Sequence, residues 1–276
     1  VTGRNQPSSA GFIFGPAKWM RGLIMAKPGE AVAYLDFAAE EVRILAALSD
    51  DENLKADCLS GDPYIAFAIR ANLLPPDATE ETRETIRDMV KVLFLSLNCG
   101  RTVRGLAAAL DVPVWQAKDL MRRHERAYPQ VHRWLRGVID AASIRGEQHS
   151  VFGWQRFVSE GFNPRSIRNW PCQTMGFEIL MLAAIMLTEA GIAVCAPAHD
   201  AFLIKAPIEL INEHVELART IMQDVAQMVT GGFPIPVEHK VYPHGERYMD
   251  KRGREMWDWV MGLLDRPENR DRKASA

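Results

Sequence analysis

Ala31-Val-Ala-Tyr-Leu-Asp36-Phe37-Ala-Ala-Glu-Glu41-Val-Arg43-Ile-Leu-Ala-Ala-Leu-Ser49 changes period part-way along. Its first seven residues read as a short buried strand that ends on an acid. From Ala38 the apolar positions Val42, Leu45, Ala46 and Leu48 recur at helical spacing. A carboxylate closing a buried strand is a rigid place to hold a hard cation, with Glu41 and Arg43 on the first turns of the following helix. An Asp between a strand and a helix is more commonly the N-cap of that helix. Outward from here, residues 192–198 and 201–204 are two more short apolar runs, separated by His199-Asp200. Strands scattered among long helices, without regular βα alternation, predict an α+β fold and not a doubly wound sheet.

The helices are marked by period and punctuation. Residues 1–30 are loop-like, rich in Gly and Pro. After Pro75-Pro76-Asp77, with Thr79 and Thr82 as candidate caps, an amphipathic helix spans 80–99 and stops at Gly100. Further helices are expected over 103–110, 114–128 and 131–145. Residues 148–152 and 155–159 flank Gly153-Trp154 as a hairpin. A helical stretch over 165–190 should break near Pro171. Helix over 209–229, strand over 237–241 and a disordered polar tail from Asp265 complete the pattern.

The chain has 276 residues, 47% apolar and 25% charged, which is ordinary globular composition. Its longest apolar-rich stretch, 177–187, is interrupted by Glu178 and is short of a bilayer span, so no membrane is expected. No leader opens the chain, and the four cysteines stand alone, which points to a reduced, cytoplasmic setting. The missing initiator Met suggests a fragment. Net charge is −2 overall, yet residues 83–168 carry 15 basic and 8 acidic side chains. A basic middle within an acidic chain suits either a phosphate-facing surface or a set of solvated helix faces.

Two further segments carry chemistry. Arg87, Lys91, Leu95 and Cys99 step by four along one helix, so they form a single stripe. Two cations above an apolar patch could grip a polyphosphate and pack on a flat base. Like charges four apart repel, so some anion is expected to face them, and a salt-bridged surface with Glu84 and Asp88 beside Arg87 is the plainer alternative. Asp200 lies where two apolar strands meet, in what is otherwise a simple hairpin turn. With Asp36 as its partner it could hold two Mg²⁺ for in-line phosphoryl transfer.

In this order the segments resemble the DNA polymerase I family, the family A DNA polymerases. Asp36-Phe-Ala-Ala-Glu-Glu41-Val-Arg43 is similar to D-Y-S-Q-I-E-L-R. Arg87, Lys91 and Gly100 match R-x3-K-x3-F-x3-Y-G, and His199-Asp200 matches V-H-D-E. Thr2-Gly3-Arg4, Tyr128-Pro129, Phe152-Gly153-Trp-Gln-Arg156 and the spacing of Arg165, Asn169 and Gln173 resemble supporting motifs.

The resemblance implies a polymerase right hand. The palm, an antiparallel sheet, would take residues 1–62 and 148–250, helical fingers 63–147, and a C-terminal helix and tail 251–276. It implies Asp36 and Asp200 as ligands of two Mg²⁺, one serving the primer 3′-hydroxyl and one the triphosphate. Arg87 and Lys91 would bind the dNTP phosphates, Lys91 also neutralising the leaving group, and Glu41 would crowd the sugar 2′ position. Arg4, Arg156, Arg165, Asn169, Gln173 and His199 would track the DNA primer-template. A bacterial or phage setting, near the nucleoid, goes with it. A thumb would precede Thr2, so a longer N-terminal part or another protein would supply the clamp. Leu95 and Cys99 stand where the family has aromatic rings at the dNTP site, which suggests altered base selection. Ala201 stands where it has a glutamate, and Ala38-Ala39 where it has Ser-Gln. These departures keep open a non-catalytic DNA-binding replication accessory, while Glu41 argues against an RNA polymerase. Trp257 and Trp259, beyond the family's usual end, suit a docking helix or packing back onto the domain.

Overall fold

The strand that ends on Asp36 forms as its apolar run predicts. In a computed structural model, which describes residues 2–3, 12–75 and 77–266, β1 covers Glu30–Phe37. Ala31, Ala33 and Leu35 are wholly buried, while Val32 and Tyr34, alternating with them, join a cluster with Ile24, Leu203 and Tyr242. A strand covered on both faces must be apolar on both, which is why this segment does not alternate with polar residues.

Seven helices follow: α1 (Glu40–Ser49), α2 (Glu52–Leu59), α3 (Pro63–Arg70), α4 (Glu80–Asn98), α5 (Val103–Leu110), α6 (Val114–Ala127) and α7 (Pro129–Arg145). Their starts are set by side-chain caps. Thr79 caps α4 by accepting from the Thr82 amide, so only the first of the two predicted caps acts as one. Asp51 is buried and serves two helices: one oxygen accepts from Asn53 and Leu54 at the start of α2, the other from Gln130 and Val131 at the start of α7.

The hairpin strands β2 (Glu147–His149) and β3 (Gln155–Phe157) are shorter than predicted. They are followed by α8 (Pro164–Glu189), β4 (Ala193–Ala198), β5 (Ala201–Pro207), α9 (Ile211–Val229), β6 (Val237–Pro243) and α10 (Arg254–Leu264). Short 3-10 turns occupy Lys18–Leu23 and Lys251–Gly253. The expected break in α8 does not occur, and Pro171 lies inside a continuous helix. Proline lacks the N–H that would bond the carbonyl of Ile167. The side-chain amide of Gln148 donates to that carbonyl instead, at 3.1 Å. By length and composition α8 would cross a bilayer, but half of its apolar window is buried in the molecule, and Glu178 is 4% exposed.

β4, β5, β1 and β6 form one sheet in that order, with β1 and β4 each antiparallel to β5. The fold is α+β, as expected. Packing divides the chain into two compact units. The helical unit comprises Val1–Arg4, Phe37–Leu182 and Gln223–Pro236; the sheet unit comprises Asn5–Asp36, Ala183–Met222 and Val237–Ala276. The tail from Asp265 lies, beyond Arg266, outside the described residues.

Candidate active site

Register brings the two acids of the sheet unit to one end of one sheet. Asp36 pairs with Ala201, and Ala198 pairs with Ala201 from the other side. His199-Asp200 is therefore the two-residue turn of the β4–β5 hairpin, and Asp200 lies one register step from Asp36. His199 is exposed and sits at φ 58°, a left-handed conformation that costs a residue other than glycine roughly 1–2 kcal/mol. Both acids are half-buried. Asp36 does not cap the following helix, because the N-cap of α1 is Ala39, at φ 50° and without a side-chain bond.

Tyr34, two residues before Asp36, lies near both acids. Burial chiefly raises the pKa of its phenol, and the negative charges of Asp36 and Asp200 raise it further. Among the described residues no group of three or more His, Cys, Asp or Glu gathers as a metal cluster. The donor set is thus two carboxylates. That chemistry fits Mg²⁺, which is commonly held by one or two carboxylates together with water and substrate phosphates.

The helical unit carries the predicted stripe on α4. Val90, Leu93, Phe94 and Leu97 face its core, and Lys91 and Cys99 are exposed. The anion expected opposite Arg87 is Asp62. Its Oδ2 accepts from Arg87 Nε, while Oδ1 caps α3 through the amides of Tyr64 and Ile65. The Arg87 guanidinium also lies over the Tyr64 ring, 5.4 Å from its centre. Among the described residues Lys91 has no ion pair, so its ammonium is open to solvent.

The remaining predicted residues of this unit come together in pairs. Gln173 Nε2 donates to Glu41 Oε1 at 2.6 Å, and Glu41 Oε2 is buried without a partner. Asn169 Nδ2 approaches Cys99 Sγ at 3.5 Å. Burial raises the Cys99 thiol pKa, the charge of Glu41 adds to the rise, and Arg101 and Arg168 oppose it. Arg156 donates from Nη1 and Nη2 to the carbonyl and hydroxyl of Ser166. Cys99, Arg156, Arg165, Asn169 and Gln173 line one open pocket of about 420 Å³. Arg4 lies outside the described residues. Sequence reasoning missed Asp62 and Tyr34. Asp62-Pro63 is a legible helix start, but nothing local ties it to Arg87.

The sequence model of DNA polymerase family A matches residues 16–247. The chain belongs to DNA polymerase family A. It is 26% identical over 248 residues to the thermostable DNA polymerase I of Thermus thermophilus, covering 85% of this chain and 29% of that protein. It is also 26% identical over 218 residues to the DNA polymerase of Mycobacterium phage D29, covering 78% of this chain and 35% of that one. The chain thus spans about a third or less of these relatives. Among solved structures it resembles the POL domain of Pol1 from M. smegmatis in complex with DNA primer-template and dNTP. The TM-score there is 0.71 at 24% identity, over 81% of this chain and 41% of the other.

Two of this polymerase domain's departures have a clear structural setting. Phe94 adjoins the stripe position where an aromatic ring is expected, but it is 2% exposed and packs edge-on against Tyr64, Phe67 and His124. It does not substitute for the ring missing at Leu95. Ala201, at the glutamate position, is wholly buried.

Proposed function

We propose that this chain carries template-directed nucleotidyl transfer, adding deoxynucleotides from dNTP to the 3′-hydroxyl of a DNA primer. The observation that carries the reading is the register of β1, β4 and β5, with Asp36 opposite Ala201 and Asp200 beside it in the turn. Asp36 and Asp200 would hold two Mg²⁺, which supply charge neutralisation to in-line phosphoryl transfer. Arg87 and Lys91 bind the dNTP phosphates, and the solvent-open ammonium of Lys91 also neutralises the departing pyrophosphate. Glu41, fixed through its bond to Gln173, obstructs a ribose 2′-hydroxyl. Leu95 and Cys99 offer the nucleotide an aliphatic and a thiol surface. Arg4, Arg156, Arg165, Asn169, Gln173 and His199 contact the primer-template backbone and minor groove, reading duplex geometry and not sequence. In this reading residues 1–62 and 148–250 make the palm and 63–147 the fingers. A thumb or clamp supplied elsewhere would strengthen a grip on the duplex that these residues already provide.

Primer extension with Mg²⁺ and dNTPs tests it, with Asp36→Ala and rNTP as controls. The expected result is extension with dNTPs only. Asp36→Ala should lose about 10²–10³-fold in turnover, as removal of a key electrostatic group does, with primer-template still bound. Binding without extension by the unmodified chain would favour the non-catalytic accessory that Leu95, Cys99 and Ala201 keep in play.

A further inference from the structure

The first turns of α8 carry a cation that the roles above leave unused. Arg168 occupies an unassigned position within the spacing of Arg165, Asn169 and Gln173. Its side chain is half-buried, and its Nε is shielded from water without a hydrogen-bond partner. Arg21 Nε is likewise buried without a partner, but its Nη1 is paired with Asp250, and two more inward-lying arginines are satisfied. Arg43 donates to the carbonyls of Ala38, Cys58 and Gly61, and Arg70 is clasped by Asp57. Among the described residues no carboxylate pairs with Arg168. Burial lowers its pKa and the nearby Arg136 lowers it further, with only the Cys99 thiol favouring its charge. A guanidinium with one buried, unpartnered N–H and no counter-charge from the chain is stabilised by an anion from outside it.

Local geometry indicates what kind of anion. Gly100 closes α4 at φ +66°, and a Cβ there would lie 3.5 Å from Arg168 Cδ and 3.3 Å from Arg165 Cγ. Both arginine stems therefore cross the bare backbone at the end of α4, beside Cys99. Arg165, one turn before Arg168 on α8, lines the neighbouring pocket, and Arg168 lies at that pocket's margin, beside Gly100. Along α4 this end lies about 18 Å from Arg87, at 1.5 Å rise per residue. A phosphate held here is thus set apart from those at Arg87, and a planar fork of N–H donors suits a phosphodiester.

We infer that Arg168 is a nucleic-acid contact, its guanidinium taking a backbone phosphate of the bound strand at the end of α4. This rests on the polymerase reading above and adds a residue to it. The test is primer-template binding over a range of salt, for the unmodified chain, Arg168→Gln and Arg168→Lys, with thermal melts of each. Arg168→Gln should weaken binding about tenfold, the worth of a charge-assisted hydrogen bond. It should also flatten the dependence of log K on log salt by about 0.7–0.9, one phosphate contact. Arg168→Lys should keep the slope. The Gln variant should melt at or above the parent temperature, because it removes an uncompensated cation, whereas a structural arginine would lower the melt. An unchanged slope overturns the inference alone, and so does a raised KM for dNTP with the slope intact. Failure of the unmodified chain to bind primer-template overturns the polymerase reading and this inference with it.

Discussion

Asp62 serves two positive groups at once, the amides that open α3 and the Arg87 guanidinium. A phosphate arriving at Arg87 competes with a carboxylate already in place. Asp62→Asn keeps a cap of equal quality while removing the charge. The KM for dNTP should then fall about 2- to 5-fold with kcat unchanged, the range expected of a partly exposed ion pair. Steady-state extension kinetics decide it, and a rise in KM would make Asp62 the group that orients Arg87. Legibility at this scale was uneven. The stripe of Arg87, Lys91, Leu95 and Cys99 follows from helical spacing, and so does the need for a facing anion. The identity of that anion does not, because it arrives on a different helix. Leu95 shows the same boundary from the other side. Spacing alone separates it from Phe94 by one position, and only the packing of Phe94 against Tyr64, Phe67 and His124 shows which of the two turns inward.

At the scale of elements, periodicity recovered α5 at its observed limits and α4, α6 and α9 to within two residues. It misread α8, because the cost of Pro171 depends on whether the Ile167 carbonyl finds another donor, which the helix itself does not determine. Gln148 provides that donor from the hairpin. Gln148→Leu should therefore cost about 1–3 kcal/mol, the penalty of a buried acceptor left unpaired. Pro171→Ala in that background should restore most of it, and denaturant melts arranged as a double-mutant cycle measure the coupling. Helices α6 and α7 are joined by a buried pair, His124 Nδ1 to His132 Nε2 at 2.9 Å. Burial holds both rings below the ordinary histidine pKa, and for His124 the neighbouring His132 and Arg168 add to the effect. Unfolded histidine gains a proton as pH falls below about 6.5, while folded His124, held well below that value by burial, resists protonation. Stability present above that pH is then lost on acidification, by about 1.4 kcal/mol per pH unit for His124. Thermal melts between pH 7.5 and 5 should show the loss, and His124→Leu should flatten it.

For the molecule as a whole, the order of motifs was legible and their meeting was not. Nothing short of the resemblance relates Glu41 to Gln173, or β1 to the β4–β5 turn, because those contacts are made by the fold. The C-terminal segment is a case where the family boundary and the folding boundary differ. The family match ends at residue 247, yet Tyr248 is buried, its ring 5.2 Å from that of Tyr34, two residues before Asp36. Asp250 holds Arg21, and Trp257 packs on Trp19. Gly253 lies so close to Trp19 that a Cβ there would come within 2.5 Å of its backbone. Trp257 is 7% exposed and Trp259, two residues on, 61%, so the two alternatives for these tryptophans divide between them. Trp257→Ala should cost about 3–5 kcal/mol, as loss of a buried aromatic does, while Trp259→Ala should stay within about 0.5 kcal/mol. Hydrogen exchange of the β1 amides reads the consequence. If the segment clasps the sheet unit, protection around Tyr34 and Asp36 falls with Trp257→Ala and with Gly253→Ala, and is kept with Trp259→Ala. Unaltered protection in the first two variants would make residues 248–266 an appendage, and the strand that carries Asp36 would owe its rigidity to the sheet alone.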